Sequence, residues 1–144
     1  MPGSFLDTTV LLYQLSTDAE KAERADALVR GGGTISVQVL NEIANVARRK
    51  IMFAWNELHS YLETVRALLV VVPLDVAAHD QGLRVCARYG MSIYDGMIVG
   101  AALAAKCDIL WSEDMQDGML VDGVLRIRNP FSNDPARGAI TDGA

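Results

Sequence analysis

A chain of 144 residues, 51% hydrophobic and 22% charged, is long enough to bury one sizeable core and too apolar to stay disordered. The net charge of −5 argues mildly against nucleic acid, which calls for Lys and Arg on its phosphates. No run approaches the roughly 18 uninterrupted apolar residues of a membrane span. Met1-Pro2-Gly3-Ser4 has no basic leader, so the expectation is a cytoplasmic protein without a signal peptide.

Short β-type runs alternate with longer helical patterns, the signature of a sheet covered by helices. Ser4 to Asp7 reads as the first strand and Thr8 to Leu15 as a short helix. Thr17-Asp18-Ala19-Glu20 reads as a capping box with Thr17 at the N-cap, opening a helix that stops at Gly31-Gly32-Gly33. Thr34 to Val37 is the second strand. Leu40, Ile43, Ala44 and Ala47 then mark a third helix, which ends on Arg48-Arg49-Lys50 where cations suit the helix dipole.

A fourth helix carries Trp55, Leu58, Leu62, Val65 and Leu69 and runs into Val70-Val71-Val72, which reads as a strand buried on both faces. Asp75 caps a fifth helix, ended by Tyr89-Gly90. Ser92-Ile93-Tyr94-Asp95 reads as a second capping box, and the helix it opens feeds a strand at Ile109 to Ser112. Leu125 to Arg128 makes the last strand, its alternating Arg126 and Arg128 suiting an edge. The expectation is one α/β domain over residues 1–131, three layers with a central parallel sheet of four to five strands. Residues 132–144, rich in Asn, Asp, Pro and Gly, read as a poorly ordered tail.

Four acids fall at joints of this pattern. Asp7 ends the first strand, Glu42 lies just past the second, Asp95 opens a helix and Asp114 follows a strand. Sites in open α/β sheets form outside the carboxyl ends of the strands. A helix antiparallel to the strand it feeds begins at that strand's carboxyl end, which brings Asp95 to the same edge as the other three. Crowded carboxylates repel one another, and an all-oxygen set selects Mg²⁺ or Mn²⁺ over zinc. A bound ion would offset much of that charge, which weakens the objection from net charge.

Several segments resemble the PIN-domain ribonucleases, and more closely the VapC-type toxins of bacterial toxin–antitoxin pairs. They are Phe5 to Tyr13, Ser36 to Glu42, Ser92 to Ala102, Leu110 to Gly118 and Ile127 to Phe131, spanning roughly residues 4 to 131. The resemblance implies a Mg²⁺- or Mn²⁺-dependent endoribonuclease with Asp7, Glu42, Asp95 and Asp114 as catalytic acids. It adds Asp117 as a direct or water-mediated ligand beside Asp7, Asp95 and Asp114, and has Ser112 orienting a carboxylate or a bound water. It also implies an RNA substrate, a VapB-type antitoxin covering the acidic pocket, and a homodimer. Two positions depart from the family's pattern. Thr9 stands where Asn or Ser is frequent and keeps a polar group beside the site. Gly96 stands where Ala is usual, expected to cost the helix about 1 kcal/mol and to loosen the site's positioning.

The remaining polar residues read first as structural, with RNA contact the lesser reading of Arg48-Arg49-Lys50 and of Arg126 and Arg128. His59 and His79 lie in helices with no poised serine near them in a motif. Cys86 and Cys107 lack CxxC spacing and read as reduced core thiols. Met52, Phe53 and Trp55 read as core between two helices, the alternative being part of a groove where an antitoxin segment docks, and Glu113 reads as solvent-facing. Two rival functions stay open: a non-catalytic module whose acidic pocket binds a basic partner, and a phosphotransferase with Asp7 as nucleophile. Thr9 weakens the latter, since a second Asp is required at that position.

Overall fold

The computed structural model describes residues 3–132. The elements follow in the order β1 (Ser4–Leu6), α1 (Thr8–Tyr13), α2 (Ala19–Arg30), β2 (Thr34–Ser36), α3 (Val37–Arg49), α4 (Trp55–Leu68) and β3 (Val70–Val72). There follow α5 (Val76–Tyr89), α6 (Ile93–Ala104), β4 (Ile109–Trp111), β5 (Leu120–Val121) and β6 (Leu125–Arg128). The sheet order is β3-β2-β1-β4-β6-β5, with every pairing parallel except β5 with β6. Helices cover the sheet in the expected three-layer α/β/α arrangement. The strands supply the centre of the core: Phe5, Leu6, Ile35, Leu110 and Ile127 are fully enclosed. Each such side chain contributes about 1.5–3 kcal/mol of burial.

The sheet has six strands rather than four or five. The addition, β5, is a two-residue antiparallel strand between Gly118 and Gly123, both at positive φ. It pairs with β6, so Arg126 and Arg128 do not sit on an edge. Leu125 and Ile127 are buried and the two arginines are half-buried on the alternate face, Arg126 Nη1 donating to the Gly118 carbonyl at 2.7 Å. The other edge is β3. Val70 is 63% exposed, so the apolar triplet does not form the doubly buried strand its composition suggested.

Local chemistry shifts other boundaries. Asp18, not Thr17, caps α2, its Oδ1 accepting from the Lys21 N–H. Ser36 caps α3 through the Val39 N–H, which ends the strand one residue early and makes Val37 helical. Asp75 caps α5 as expected, and Gly90 closes it in the left-handed region at φ 69°. Met52 and Trp55 are 75% and 69% exposed, so they lie outside the core. Cys86 and Cys107 are free thiols. No helix among the described residues is long and apolar enough to cross a membrane.

The α5–α6 pair packs more extensively than any other two elements. Gly82, Gly96 and Gly100 make this possible. A Cβ on Gly96 would collide with Cys86 Sγ and lie 2.9 Å from the Gly82 carbonyl, and one on Gly100 would meet Gly82 N at 2.8 Å. Gly96 therefore serves close packing, and the expectation that it loosens the site is corrected: it lets α6 seat firmly against α5. The C-terminal tail expectation falls on residues outside those described, apart from Ser132.

Candidate active site

Register builds the site. In β1 and β4, Leu6 pairs with Trp111, so Asp7 and Ser112 occupy the next rung at the carboxyl edge. The Asp7 N–H still donates to the Trp111 carbonyl at 3.0 Å. The sheet runs from β1 toward β2 on one side and β4 on the other, so Asp7 stands at the point where strand order reverses. It also caps α1. One oxygen accepts from the Thr8 N–H at 2.7 Å, the other from the Ser112 hydroxyl at 2.7 Å. The Ser112 oxygen in turn accepts from the Met115 N–H at 3.3 Å. Ser112 thus holds one oxygen of the Asp7 carboxylate.

A cleft of about 260 Å³ opens outside this edge. It is lined by Asp7, Thr8, Thr9, Leu12, Glu42, Asn45, Val46, Asp95 and Asp114. The four acids at the joints of the sequence all reach it, and among the described residues no Lys or Arg lines it. Glu42 arrives from the second turn of α3, a little further along than expected, with Gln38 Nε2 donating to it at 2.9 Å. Asp95 arrives from the first turn of α6. Ser92 Oγ accepts from its N–H at 3.3 Å, the forward half of the expected capping box, while its carboxylate lines the cleft. Asp114 stands in the segment after β4. Asp117 is placed apart: its Oδ1 accepts from the Asn129 N–H at 3.0 Å, and it does not line the cleft.

Burial lifts the Asp7 carboxyl to a pKa of about 7; the charges of Glu42 and Asp95 add to the rise, and its two hydrogen bonds oppose it. Burial also pushes Glu42 up, with Asp95 and Asp114 adding to the rise against the Gln38 bond. Asp114 is raised by partial desolvation and by its neighbours Glu113 and Asp95. All three shifts share one direction, that of a site lacking positive charge.

Whether these residues suit a metal ion follows from their chemistry. The donors are all oxygens, the set hard cations take. The buried Thr8 hydroxyl also lines the cleft. It lies near enough to Glu42 to favour that carboxylate's charged form, but without hydrogen-bond geometry, and its oxygen has no partner. As the side chains lie, no group of three or more Asp, Glu, His or Cys among the described residues is drawn together into a metal cage. The donor set thus fits Mg²⁺ or Mn²⁺ held by a few protein oxygens with water completing the shell, the usual habit of Mg²⁺.

Some participants were not evident in the sequence. Gln38 precedes Glu42 by four residues, a spacing that signals a helical pair. Glu113, expected to face solvent, is instead tied down on both oxygens. Tyr13 Oη donates to one at 2.7 Å and Lys21 Nζ reaches the other at 3.1 Å, while the Glu113 N–H meets Thr9 Oγ1 at 3.4 Å. The Tyr13 ring packs on Phe131, with centroids 4.5 Å apart. Asp114 is thus bracketed by two anchored neighbours, Glu113 and the buried Met115. His59 and His79 take no part: both are exposed helix residues, and His59 pairs with Glu63.

In a largely parallel α/β sheet the switch point is where ligands bind, and here that point carries a cleft lined with carboxylate oxygens. The family model of the PIN domain matches residues 4–116, and the chain belongs to the PIN-domain family. No curated protein sequence matches it. Among solved structures, it is similar to a DNA-bound VapBC from Salmonella typhimurium at TM-score 0.67 and 21% identity, covering 90% of this chain and 99% of that one. A toxin–antitoxin complex from Klebsiella pneumoniae aligns at TM-score 0.68 and 14% identity over 89% and 98% of the two chains. A sarcin-ricin-loop-cleaving VapC toxin from Mycobacterium tuberculosis aligns at 0.60 and 14%, over 77% and 89%. At these identities the likeness establishes the fold.

Proposed function

We propose that this PIN-domain protein is a VapC-type toxin: an endoribonuclease, dependent on Mg²⁺ or Mn²⁺, that hydrolyses RNA phosphodiester bonds in the cytoplasm. One observation carries the reading: the cleft gathers Asp7, Glu42, Asp95 and Asp114 with no basic side chain among the described residues lining it. A folded chain tolerates such repulsion where a cation relieves it. The toxins among its structural neighbours supply the reaction class, since one of them cleaves the sarcin-ricin loop and others occur as VapBC pairs.

In this reading Asp7, Asp95 and Asp114 hold the cation, and Glu42 holds a second ion or positions the attacking water. When bound, the ion supplies positive charge to the phosphodiester and lowers the pKa of water. Ser112 fixes the direction of the Asp7 carboxylate, and Thr9 braces the Glu113 backbone beside Asp114. Asp117 contributes through the Asn129 backbone and at most through a bridging water. Leu12 and Val46 form the apolar walls. A VapB-type antitoxin and a second copy of this chain are the protein partners.

Endonuclease assays on structured RNA test the reaction. Cleavage is expected with Mg²⁺ or Mn²⁺ and none in EDTA; equal cleavage in both would sink the metal mechanism. A second reading draws on the open arrangement of the acids: a non-catalytic pocket that accepts basic side chains of a partner. Mn²⁺ at a hundredfold excess over its dissociation constant stabilises a binding-competent fold by about 2.7 kcal/mol. Partner binding without any Mn²⁺-dependent thermal shift would favour the pocket over the nuclease.

A further inference from the structure

Charge is unevenly distributed along α3. Gln38, Glu42, Asn45 and Arg49 follow at helical intervals, which puts them on one stripe. Glu42, Asn45 and Val46 line the cleft. Arg49 lies four residues past Asn45 and three past Val46, so it extends the cleft wall outward by one turn. At 1.5 Å per residue, it stands about 10 Å along the axis from Glu42, a span that a few nucleotides of extended backbone cover. Arg49 and its neighbour Lys50 are exposed, and neither has an ion-pair partner among the described residues.

Arg48 is occupied differently. Its Nη1 donates to the Phe53 carbonyl at 2.7 Å, and its guanidinium lies 4.1 Å from the Trp55 ring centroid. This holds the indole beside the end of α3 while most of its surface stays open. An aromatic ring braced by a guanidinium, next to unpaired cations, is the combination by which proteins hold single strands.

We propose that this end of the cleft is a path for single-stranded RNA. The strand flanking the scissile bond follows the α3 stripe, its phosphates meeting Arg49 and Lys50 and a base stacking on Trp55. The inference rests on the nuclease reading and adds the route of the substrate to it. Charge favours a nucleic acid over a protein segment here. A polyanion entering the cation-neutralised cleft is attracted at both places.

Steady-state cleavage of a single-stranded RNA oligonucleotide in Mn²⁺ tests the path on the full chain. Arg49→Ala with Lys50→Ala is expected to raise KM about tenfold, to leave kcat within about twofold, and to reduce the slope of log affinity against log salt by about 1 to 2. Trp55→Ala is expected to raise KM at least about fivefold with an unchanged salt slope. Cleavage of a dinucleotide too short to reach Arg49 is expected to be unaffected in both variants, which separates a lost path from a damaged fold. Arg49→Lys, which keeps the charge, is expected to retain most of the affinity. Wild-type KM and salt slope in both variants would overturn the path while leaving the nuclease reading intact. Absence of Mn²⁺-dependent cleavage in the unmutated chain would overturn the reading on which it rests.

Discussion

The first turn of α6 faces two regions built on opposite rules. Asp95 turns into the cleft, where carboxylates crowd together and burial holds Asp7 near pKa 7. Gly96, the next residue, turns onto α5, where the absence of a side chain lets two helices close on each other. One side of the turn gathers stabilising contact and the other concentrates unfavourable charge. The crowded edge is held in place by its neighbours. The rigid α5–α6 pair fixes where Asp95 stands even though the charges around it favour dispersal.

The largest effect is expected from removing the most strained charge. Asp7→Asn should lower RNA cleavage on the order of a thousandfold, about 4 kcal/mol of barrier, while raising the stability of the metal-free protein at pH 8. The sign follows from the raised pKa. Below the ordinary value of 3.8 Asp7 is protonated folded or unfolded, and between there and about 7 only the unfolded chain ionises. Metal-free stability of the unmutated protein should therefore fall from about pH 4 to about pH 7 and then level off; Glu42 and Asp114 add in the same direction. Urea denaturation across pH in EDTA measures this. A variant as pH-dependent as its parent would show that Asp7 is not the source.

On the opposite side of the turn, Gly96→Ala should destabilise by about 1–3 kcal/mol through overpacking, despite a helix-propensity gain of about 1 kcal/mol. Urea midpoints decide the sign. Equal or higher stability would mean that α5 yields freely and that the two sides of the turn do not differ in rigidity. Ser112→Ala comes next, with Mn²⁺ affinity expected to drop about tenfold and Ser112→Thr to restore most of it. Calorimetric titration checks both.

The smallest effect is expected at Glu113. Its ion pair with Lys21 is partly exposed, Lys21 at 35% and Glu113 at 26%, and such pairs contribute under about 1 kcal/mol. Glu113→Gln should leave the unfolding midpoint nearly unchanged yet weaken Mn²⁺ binding a few-fold, because Asp114 depends on its neighbours for its position. A change in stability without a change in Mn²⁺ affinity would make Glu113 a surface brace only.

What the sequence revealed followed from local rules. Capping residues, helical periods and the stops at Gly31 and Gly90 placed the helices. Connectivity alone then put Asp7, Glu42, Asp95 and Asp114 on one edge. Three kinds of feature escaped that reasoning. Strand β5 is only two residues long and leaves no period to detect. Val70-Val71-Val72 has the composition of a central strand, and only the sheet order makes it an edge. The anchoring of Glu113 depends on Lys21 and Tyr13, 92 and 100 residues away, so nothing beside it in the chain reports them.

The valine edge bears on how this protein would fail. Leu68 through Val72 is an uninterrupted apolar run ending in three β-branched valines, the kind of segment that seeds cross-β stacking when bared. In the native fold it offers an incoming chain a ladder of only three residues, and Pro73 follows at once with no N–H to extend it. The hazard is therefore confined to molecules that have unfolded. Aggregation of this protein should track its population of open chains rather than its native concentration, and a destabilised α5–α6 pair should be found in the precipitate before it is found inactive in solution.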